Sequence, residues 1–214
     1  MRDGEIAAMR QDYTIGELLE SNSPSEPWEL FSIWFEIARN AKILEPNAMI
    51  LSTVTQDGQP TSRVVLLKDF DQNGLVFFTN YLSQKGDQLA HNPRASILFW
   101  WEPLQRQIRI EGEVVKIDEE ESDTYFQSRP YGSRLGAWIS EQSQTIVDRT
   151  VLEKRQIQFE KKFADGNVPR PDNWGGYRLT PNKFEFWQGR SNRLHDRLLY
   201  QMKQNSWTRI RLAP

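Results

Sequence analysis

The chain has 214 residues, with 27 Lys and Arg against 29 Asp and Glu, for a formal net charge of −2. That length supports one large domain with a sizeable core, and that charge balance gives no global attraction to nucleic acid or to an anionic membrane. No cysteine is present and only two histidines, His91 and His195, which removes disulfides, a thiol nucleophile, a cysteine-held metal and a histidine-rich metal site from consideration. Residues 1–26 read as an N-terminal arm that ends in a Ser- and Pro-rich loop, Ser21–Pro27. Asp3 and Glu5 stand where a secretory signal would need an apolar run, so a cytoplasmic chain is expected. Pro27–Ala41 repeats apolar residues at helical spacing behind a proline suited to a first turn. Ala48–Thr55, Thr61–Asp69 and Leu75–Asn80 are β-branched and aromatic, and Asp57-Gly58 and Asp71–Gly74 supply the turns between them. Ser83–His91 reads as a short helix capped by Ser83 and stopped by Asn92-Pro93. Arg94–Trp101 and Gln105–Ile117 form another strand pair. The apolar run within it, Ile97–Trp101, is far shorter than the ~20 residues of a membrane-spanning helix.

Helices are expected at Glu119–Ser128, Gly132–Glu141 and Val147–Phe163, and strands return at Gly176–Leu179, Lys183–Trp187, Arg197–Lys203 and Ser206–Leu212. Short strands joined by tight turns pair antiparallel. The expected class is α+β: an antiparallel barrel of Ala48–Ile117 plus Gly176–Leu212, with helices packed outside and residues 27–214 forming one domain. Neither the dinucleotide-binding glycine fingerprint nor the P-loop spacing occurs.

The segment richest in chemistry is Phe184–Arg197, with one histidine, three arginines near its end and Trp187 flanked by Gln188 and Gly189. In extended backbone Arg193, His195 and Arg197 would share one side, a row suited to an anionic or electron-rich ligand. Taken alone, an Arg-rich turn of this kind is more often a solvated basic loop. His91 reads as a helix-end residue favoured by the dipole, and the Glu119–Glu121 run as a solvated helix start. Trp100 and Trp101 read as core or dimer packing rather than as a cofactor platform.

This segment resembles the signature of pyridoxine/pyridoxamine 5′-phosphate oxidases, in which an acidic-aromatic-Trp element precedes Arg-Leu-His-Asp-Arg. Other blocks follow in the family's order: Arg63–Lys68, Phe77–Asn80 with Ser83-Gln84-Lys85, Tyr125–Ser133, Leu135–Ser143, Trp174–Tyr177 and the terminal Arg211–Pro214. The resemblance spans roughly Arg10 to Pro214. It implies an FMN-binding split barrel, FMN as cofactor, and a homodimer with its sites at the subunit interface. It implies oxidation of pyridoxamine or pyridoxine 5′-phosphate to pyridoxal 5′-phosphate, with O2 as acceptor giving H2O2, and ammonia from the amine.

Carried over residue by residue, Arg63, Val64, Val65, Leu66, Leu67 and Lys68 would line the flavin, with Lys68 shared with the substrate. Phe78, Thr79 and Lys85 would meet FMN and its phosphate, and Gln107 the ring system. Gln142, Ser143, Trp187 and Arg197 would reach FMN from the partner subunit. Tyr125, Arg129 and Ser133 would hold the substrate phosphate, Arg193 and His195 the pyridine end as the catalytic pair, and Arg10 and Tyr13 would belong to an arm that covers the site as a lid. Two positions depart from the family pattern. Gln84 stands where an arginine is expected, and Tyr13–Leu18 lacks an expected lysine and second glycine. A non-catalytic FMN- or pyridoxal-phosphate-binding protein of the same fold is the alternative reading, and another split-barrel flavin reductase a more distant one.

Overall fold

Helix α1 spans Pro27–Asn40, with proline in its first turn. The structure is a computed structural model and describes residues 4–6 and 8–214; residues 1–3 and 7 of the expected arm lie outside the described residues. After α1 come β1 (Ala48–Val54), β2 (Pro60–Leu66), β3 (Asp69–Asp71), β4 (Gly74–Asn80) and α2 (Gln84–His91). Then follow β5 (Arg94–Trp101), β6 (Arg106–Lys116), α3 (Glu119–Ser128), α4 (Tyr131–Ile139) and α5 (Thr150–Lys162). The chain closes with β7 (Trp174–Gln188), β8 (Asp196–Lys203) and β9 (Ser206–Leu212). The strands form one nine-stranded sheet in the order β2-β1-β5-β6-β7-β4-β3, with β8 on β7 and β9 on β8. The pairs β3–β4, β4–β7, β7–β8 and β8–β9 are antiparallel. The class is α+β, as the turn-rich strand pattern implies.

The chain divides into two compact units. The first comprises Met1–Ile50, Ile97–Glu111 and Pro181–Pro214. Its core is aromatic: α1 buries Leu30, Phe31, Trp34 and Ala38. Phe31 meets Phe99 at 5.6 Å, and Trp34 meets Phe186 edge-on at 5.3 Å. Phe31 has no exposed surface, so its truncation to alanine would cost about 3–5 kcal/mol. Residues 17–24 of the arm run against β8 and β9, where Tyr200 Oη donates to Pro24 O and Leu18 N–H to Asp196 Oδ2.

The second unit comprises Leu51–Ser96 and Gly112–Thr180. Phe126, Leu135, Phe163, Val168 and Trp174 form a buried cluster under α3, α4 and α5. Ser83 caps α2 as the sequence implies, its Oγ accepting from Gly86 N–H at 3.4 Å. Gly86 is required there because a Cβ would collide with the Tyr81 carbonyl. The close approach fixes how the start of α2 meets the end of β4.

Several boundaries differ from the sequence reading. The expected strand Thr61–Asp69 stops at Leu66, and Asp69–Asp71 forms a separate strand on β4. The chain changes partner at Leu67-Lys68, where Lys68 N–H already donates to Val76 O. Conversely, the two strands expected around Pro181 are one, β7. The β4 ladder ends at Leu179 and the β8 ladder begins at Lys183, so neither asks Pro181 for the N–H it lacks. Helix α5 starts at Thr150 rather than Val147, because Asp148 Oδ1 takes the Thr150 N–H.

Candidate active site

The second unit contains a cavity of about 890 Å³. Strand β2 contributes Arg63, Val64, Val65 and Leu66, and Lys68 follows; Leu67 is buried and does not line it. Phe78 and Thr79 come from the end of β4, and Gln84 and Lys85 from the first turn of α2. The α3–α4 region adds Tyr125, Arg129 and Ser133, and the segment after α4 adds Gln142 and Ser143. Gln142 and Ser143, expected from a partner subunit, therefore stand in the same chain's cavity as Arg63 and Lys85. Gln142 Oε1 accepts from Thr79 Oγ1 at 3.1 Å.

Among the described residues, four cations line this cavity and no carboxylate does. Among the described residues Arg63 is held by neutral oxygens, donating to Thr53 Oγ1 at 2.6 Å, Thr61 Oγ1 at 2.7 Å and Leu51 O at 3.1 Å. Behind it the buried Gln88 accepts from Thr61 and from Arg63 through one oxygen. Lys85 is 6% exposed and donates to Thr79 Oγ1 at 3.1 Å and Ser83 Oγ at 3.2 Å. Burial, and then the neighbouring Arg63 charge, pull the Lys85 ammonium down to about 8. Arg129 lies over the Trp174 ring at 4.5 Å, and its Nη1 is buried without a hydrogen-bond partner among the described residues. Burial lowers the Arg129 pKa as well.

A buried guanidinium nitrogen with nothing to donate to costs stability unless a ligand arrives. The donor set, forked and cationic with hydroxyls between, fits phosphate oxygens. Flat walls are present too: Phe78 stacks on Tyr125 at 3.9 Å and 19°, and on Trp174 at 5.4 Å and 13°. Tyr125 both packs in this stack and faces the cavity. A Cβ added to Gly136 would meet nothing within 4 Å, so that helix position borders open cavity.

The remaining expected residues, Gln107, Trp187, Arg193, His195, Arg197, Arg10 and Tyr13, belong to the first unit and do not line this cavity. Five of these come from β6, the end of β7, the β7–β8 connection and the start of β8. Gln107 is half-buried on β6. Trp187 is the penultimate residue of β7, with its ring 4.6 Å from that of His195. The extended row expected from Arg193 to Arg197 is not formed. Ser191–Arg193 is a 3-10 turn in which Asn192 and Arg193 are both left-handed, at φ 57° and 65°. The chain has to reverse between antiparallel β7 and β8, so strand alternation resumes only at Asp196. His195 Nδ1 accepts the Arg190 N–H at 3.1 Å, which leaves the ring proton on Nε2. Burial and then Arg193 lower its pKa, so the ring is neutral at pH 7.

Tyr13 packs against Gly189, where any Cβ would strike its ring, and meets Trp187 edge-on at 5.8 Å. Arg10 lies in the exposed part of the arm. Arg197 Nε donates to Glu185 Oε1 at 2.8 Å and its Nη1 to Ala213 O at 2.9 Å. Sequence reasoning gave no role to Glu185, the acid of the signature, and missed Arg109 beside it and Thr53 and Gln88 behind Arg63. The one available signal was an acid set between core aromatics in Phe184-Glu185-Phe186.

Among the described residues no helix is long and apolar enough to cross a membrane. The sequence profile described as "Pyridoxamine 5'-phosphate oxidase" matches residues 35–162, and that described as "Pyridoxine 5'-phosphate oxidase C-terminal dimerisation region" matches residues 174–214. A pyridoxine/pyridoxamine 5′-phosphate oxidase of Trichormus variabilis is 54% identical over 213 residues, covering 99% of this chain and all of that one. The enzyme of the same name from Cupriavidus pinatubonensis is 52% identical over 211 residues, covering 98% and 99%. Among solved structures, PhzG from Burkholderia lata 383, in complex with tetrahydrophenazine-1-carboxylic acid, superposes with a TM-score of 0.87 at 35% identity, over 94% of this chain and 99% of that one. A pyridoxamine 5′-phosphate oxidase-related, FMN binding protein from Nostoc punctiforme shares the fold, with a TM-score of 0.69 at 20% identity over 88% and 98% of the two chains. With both profiles and full-length relatives in agreement, this chain belongs to the pyridoxine/pyridoxamine 5′-phosphate oxidase family of split-barrel oxidoreductases.

Proposed function

We propose that the chain binds FMN in the cationic cavity and oxidises pyridoxamine or pyridoxine 5′-phosphate to pyridoxal 5′-phosphate. The observation that carries this reading is a cavity with four cations, no carboxylate and an unpartnered Arg129 nitrogen, in a protein of net charge −2. Two phosphorylated ligands bring about four negative charges in all, which Arg63, Lys68, Lys85 and Arg129 offset. FMN, when bound, would supply the two-electron acceptor, with O2 taking those electrons to give H2O2; for the amine substrate water supplies the aldehyde oxygen and ammonia leaves.

The chain's own residues bind, orient and exclude water. Arg63, Lys85 and Thr79 hold the FMN phosphate at the start of α2, where the helix N-terminus also favours an anion. Gln142 and Ser143, with the β2 residues Val64, Val65 and Leu66, border the ring system. Arg129, Ser133, Tyr125 and Lys68 hold the substrate phosphate, which makes the phosphate a handle for orientation. Gln107, Trp187 and Arg197 act on the FMN of the partner subunit in a homodimer, a reading supported by the match of residues 174–214 to a dimerisation region. Arg193 supplies a permanent cation to the substrate, and His195 a neutral ring with Nε2–H as donor. Arg10 and Tyr13 close over the substrate as part of an N-terminal lid. Phosphorylated substrates do not cross membranes unaided, which supports a cytoplasmic reaction that keeps them in one compartment.

The test is a spectrum of purified protein loaded with FMN, followed under anaerobic pyridoxine 5′-phosphate. Bleaching of the flavin band, with H2O2 formed on readmission of air, is the expected result. FMN and substrate bound without bleaching would leave a non-catalytic binding protein, and no FMN uptake would overturn the reading.

A further inference from the structure

The face of β7 that carries Trp187 holds a buried carboxylate with no part in the contacts proposed above. Phe184 and Phe186 point into the aromatic core, so Glu185 and Trp187 point the other way. Glu185 is nevertheless 2% exposed. Its two oxygens are taken by two guanidiniums: Arg197 Nε at 2.8 Å and Arg109 Nη2 at 2.5 Å. Arg109 Nε in turn lies 3.1 Å from Glu111 Oε1, as an ion pair rather than an aligned hydrogen bond, and Glu111 Oε2 takes Lys183 Nζ at 2.8 Å.

The result is a row of alternating sign, Lys183, Glu111, Arg109, Glu185, Arg197. Three cations face two anions, so one positive charge is left over, and the row ends at Arg197. That arginine sits directly across the ladder from Trp187. Its Nε is fixed by Glu185 and its Nη1 by Ala213 O, while Nη2 has no partner among the described residues.

We infer that Glu185 is a positioning residue for the cofactor site. It clamps the Arg197 guanidinium through Nε, with Arg109 satisfying its second oxygen, so that the Nη2 edge is presented beside Trp187 before the ligand arrives. An arginine fixed in advance loses less rotamer freedom on binding than a free one. The inference rests on the proposal that Arg197 contacts FMN.

The experiment is a double-mutant cycle on full-length protein depleted of FMN, with FMN affinity read by flavin fluorescence quenching. Glu185→Gln keeps the shape and removes the charge. It is expected to weaken FMN binding about tenfold, the scale of one charge-assisted hydrogen bond. Arg197→Met should lose at least as much, and the double variant should bind no worse than Arg197→Met alone. Additive losses would mean that Glu185 supports the fold without acting through Arg197, and would overturn the inference. Unchanged affinity in Arg197→Met would overturn the contact between Arg197 and FMN, and the positioning role with it. Arg197→Lys gives an answer that does not depend on Glu185→Gln folding. It keeps the charge but not the guanidinium fork. Loss comparable to Arg197→Met is expected, and wild-type affinity would show that charge without positioning suffices.

Discussion

Lys85 makes the proposed phosphate site titratable in a usable range. Its ammonium is buried, neighbours Arg63, pairs only with the hydroxyls of Thr79 and Ser83, and is pulled down to about 8. In the FMN-free protein this base binds fewer protons folded than unfolded between about 8 and its ordinary value near 10.4. The stability of the FMN-free form therefore climbs as pH rises through that window, and the burial penalty is present in full below it. A phosphate dianion against Nζ restores the proton. Below pH 8 Lys85 already carries it, so FMN affinity is flat from pH 7, where the phosphate is mostly dianionic. Above pH 8 binding takes up as much as one proton, and Kd rises up to tenfold per pH unit, about 30-fold by pH 9.5. Lys85→Met removes the slope and weakens binding at pH 7 by about 10- to 100-fold, the value of one hydrogen bond to a charged group. The assay is fluorescence quenching of FMN by FMN-depleted protein from pH 7 to 9.5. Lys68→Met, in the same cavity, is the control and should keep the slope. A flat wild-type profile to pH 9.5, or a slope that survives Lys85→Met, would refute the placement of the FMN phosphate at Lys85.

Arg129→Met should raise KM for pyridoxine 5′-phosphate by about 10- to 100-fold with a smaller change in kcat, because its free Nη1 binds rather than reacts; unphosphorylated pyridoxine should be a poor substrate of the wild type and insensitive to the change, as steady-state kinetics will show. Gln84 lines the cavity beside Lys85, so Gln84→Arg should tighten FMN, more at 20 mM salt than at 500 mM, as titration at the two ionic strengths would show. Gly136→Ala should raise the melting temperature of the FMN-free protein, since a helical glycine costs about 1 kcal/mol against alanine and the new methyl meets nothing; a lower melting temperature would show that the position is packed rather than open.

The strand pattern was legible because alternation and turn residues are local. Asp57-Gly58 and the capping Ser83 carry their structural role in their own chemistry, and both hold. What was not legible depends on partners distant in the chain. Pro181 reads as a break, yet the strand continues through it, and the β4 and β8 ladders both stop short of it. The strand from Thr61 ends early because Lys68 N–H finds Val76 O, a pairing no local pattern announces. In the candidate site the cationic and aromatic residues carry a family pattern and could be named from it. The residues behind them could not. Gln88 and Thr53 are ordinary polar residues until folding puts them under Arg63. Glu185 is ordinary until Arg109 arrives from β6. The row expected from Arg193 to Arg197 does not form because strand alternation does not survive a reversal of the chain, where two consecutive left-handed residues turn it instead.

The proposed site draws on two sets of residues, and this makes the subunit assignment testable. One set, including Lys85 and Arg129, lines the cavity; the other, including Arg193 and Arg197, does not. If the second set serves the partner's cavity, each of the two sites in a homodimer uses one set from each chain. A Lys85→Met chain and an Arg197→Met chain would each form dimers with two damaged sites. A mixed dimer of the two would place both lesions in one site and leave the other site intact. Random pairing makes half of the dimers mixed, so co-refolding equal amounts should recover about a quarter of wild-type activity at subsaturating FMN. The measurement is the anaerobic bleaching rate of the mixture against each parent. No recovery, with mixed dimers confirmed by a tag on one chain, would mean that both sets serve the same chain's flavin. A wild-type protein that is monomeric by light scattering while holding FMN and turning over would exclude the shared site outright.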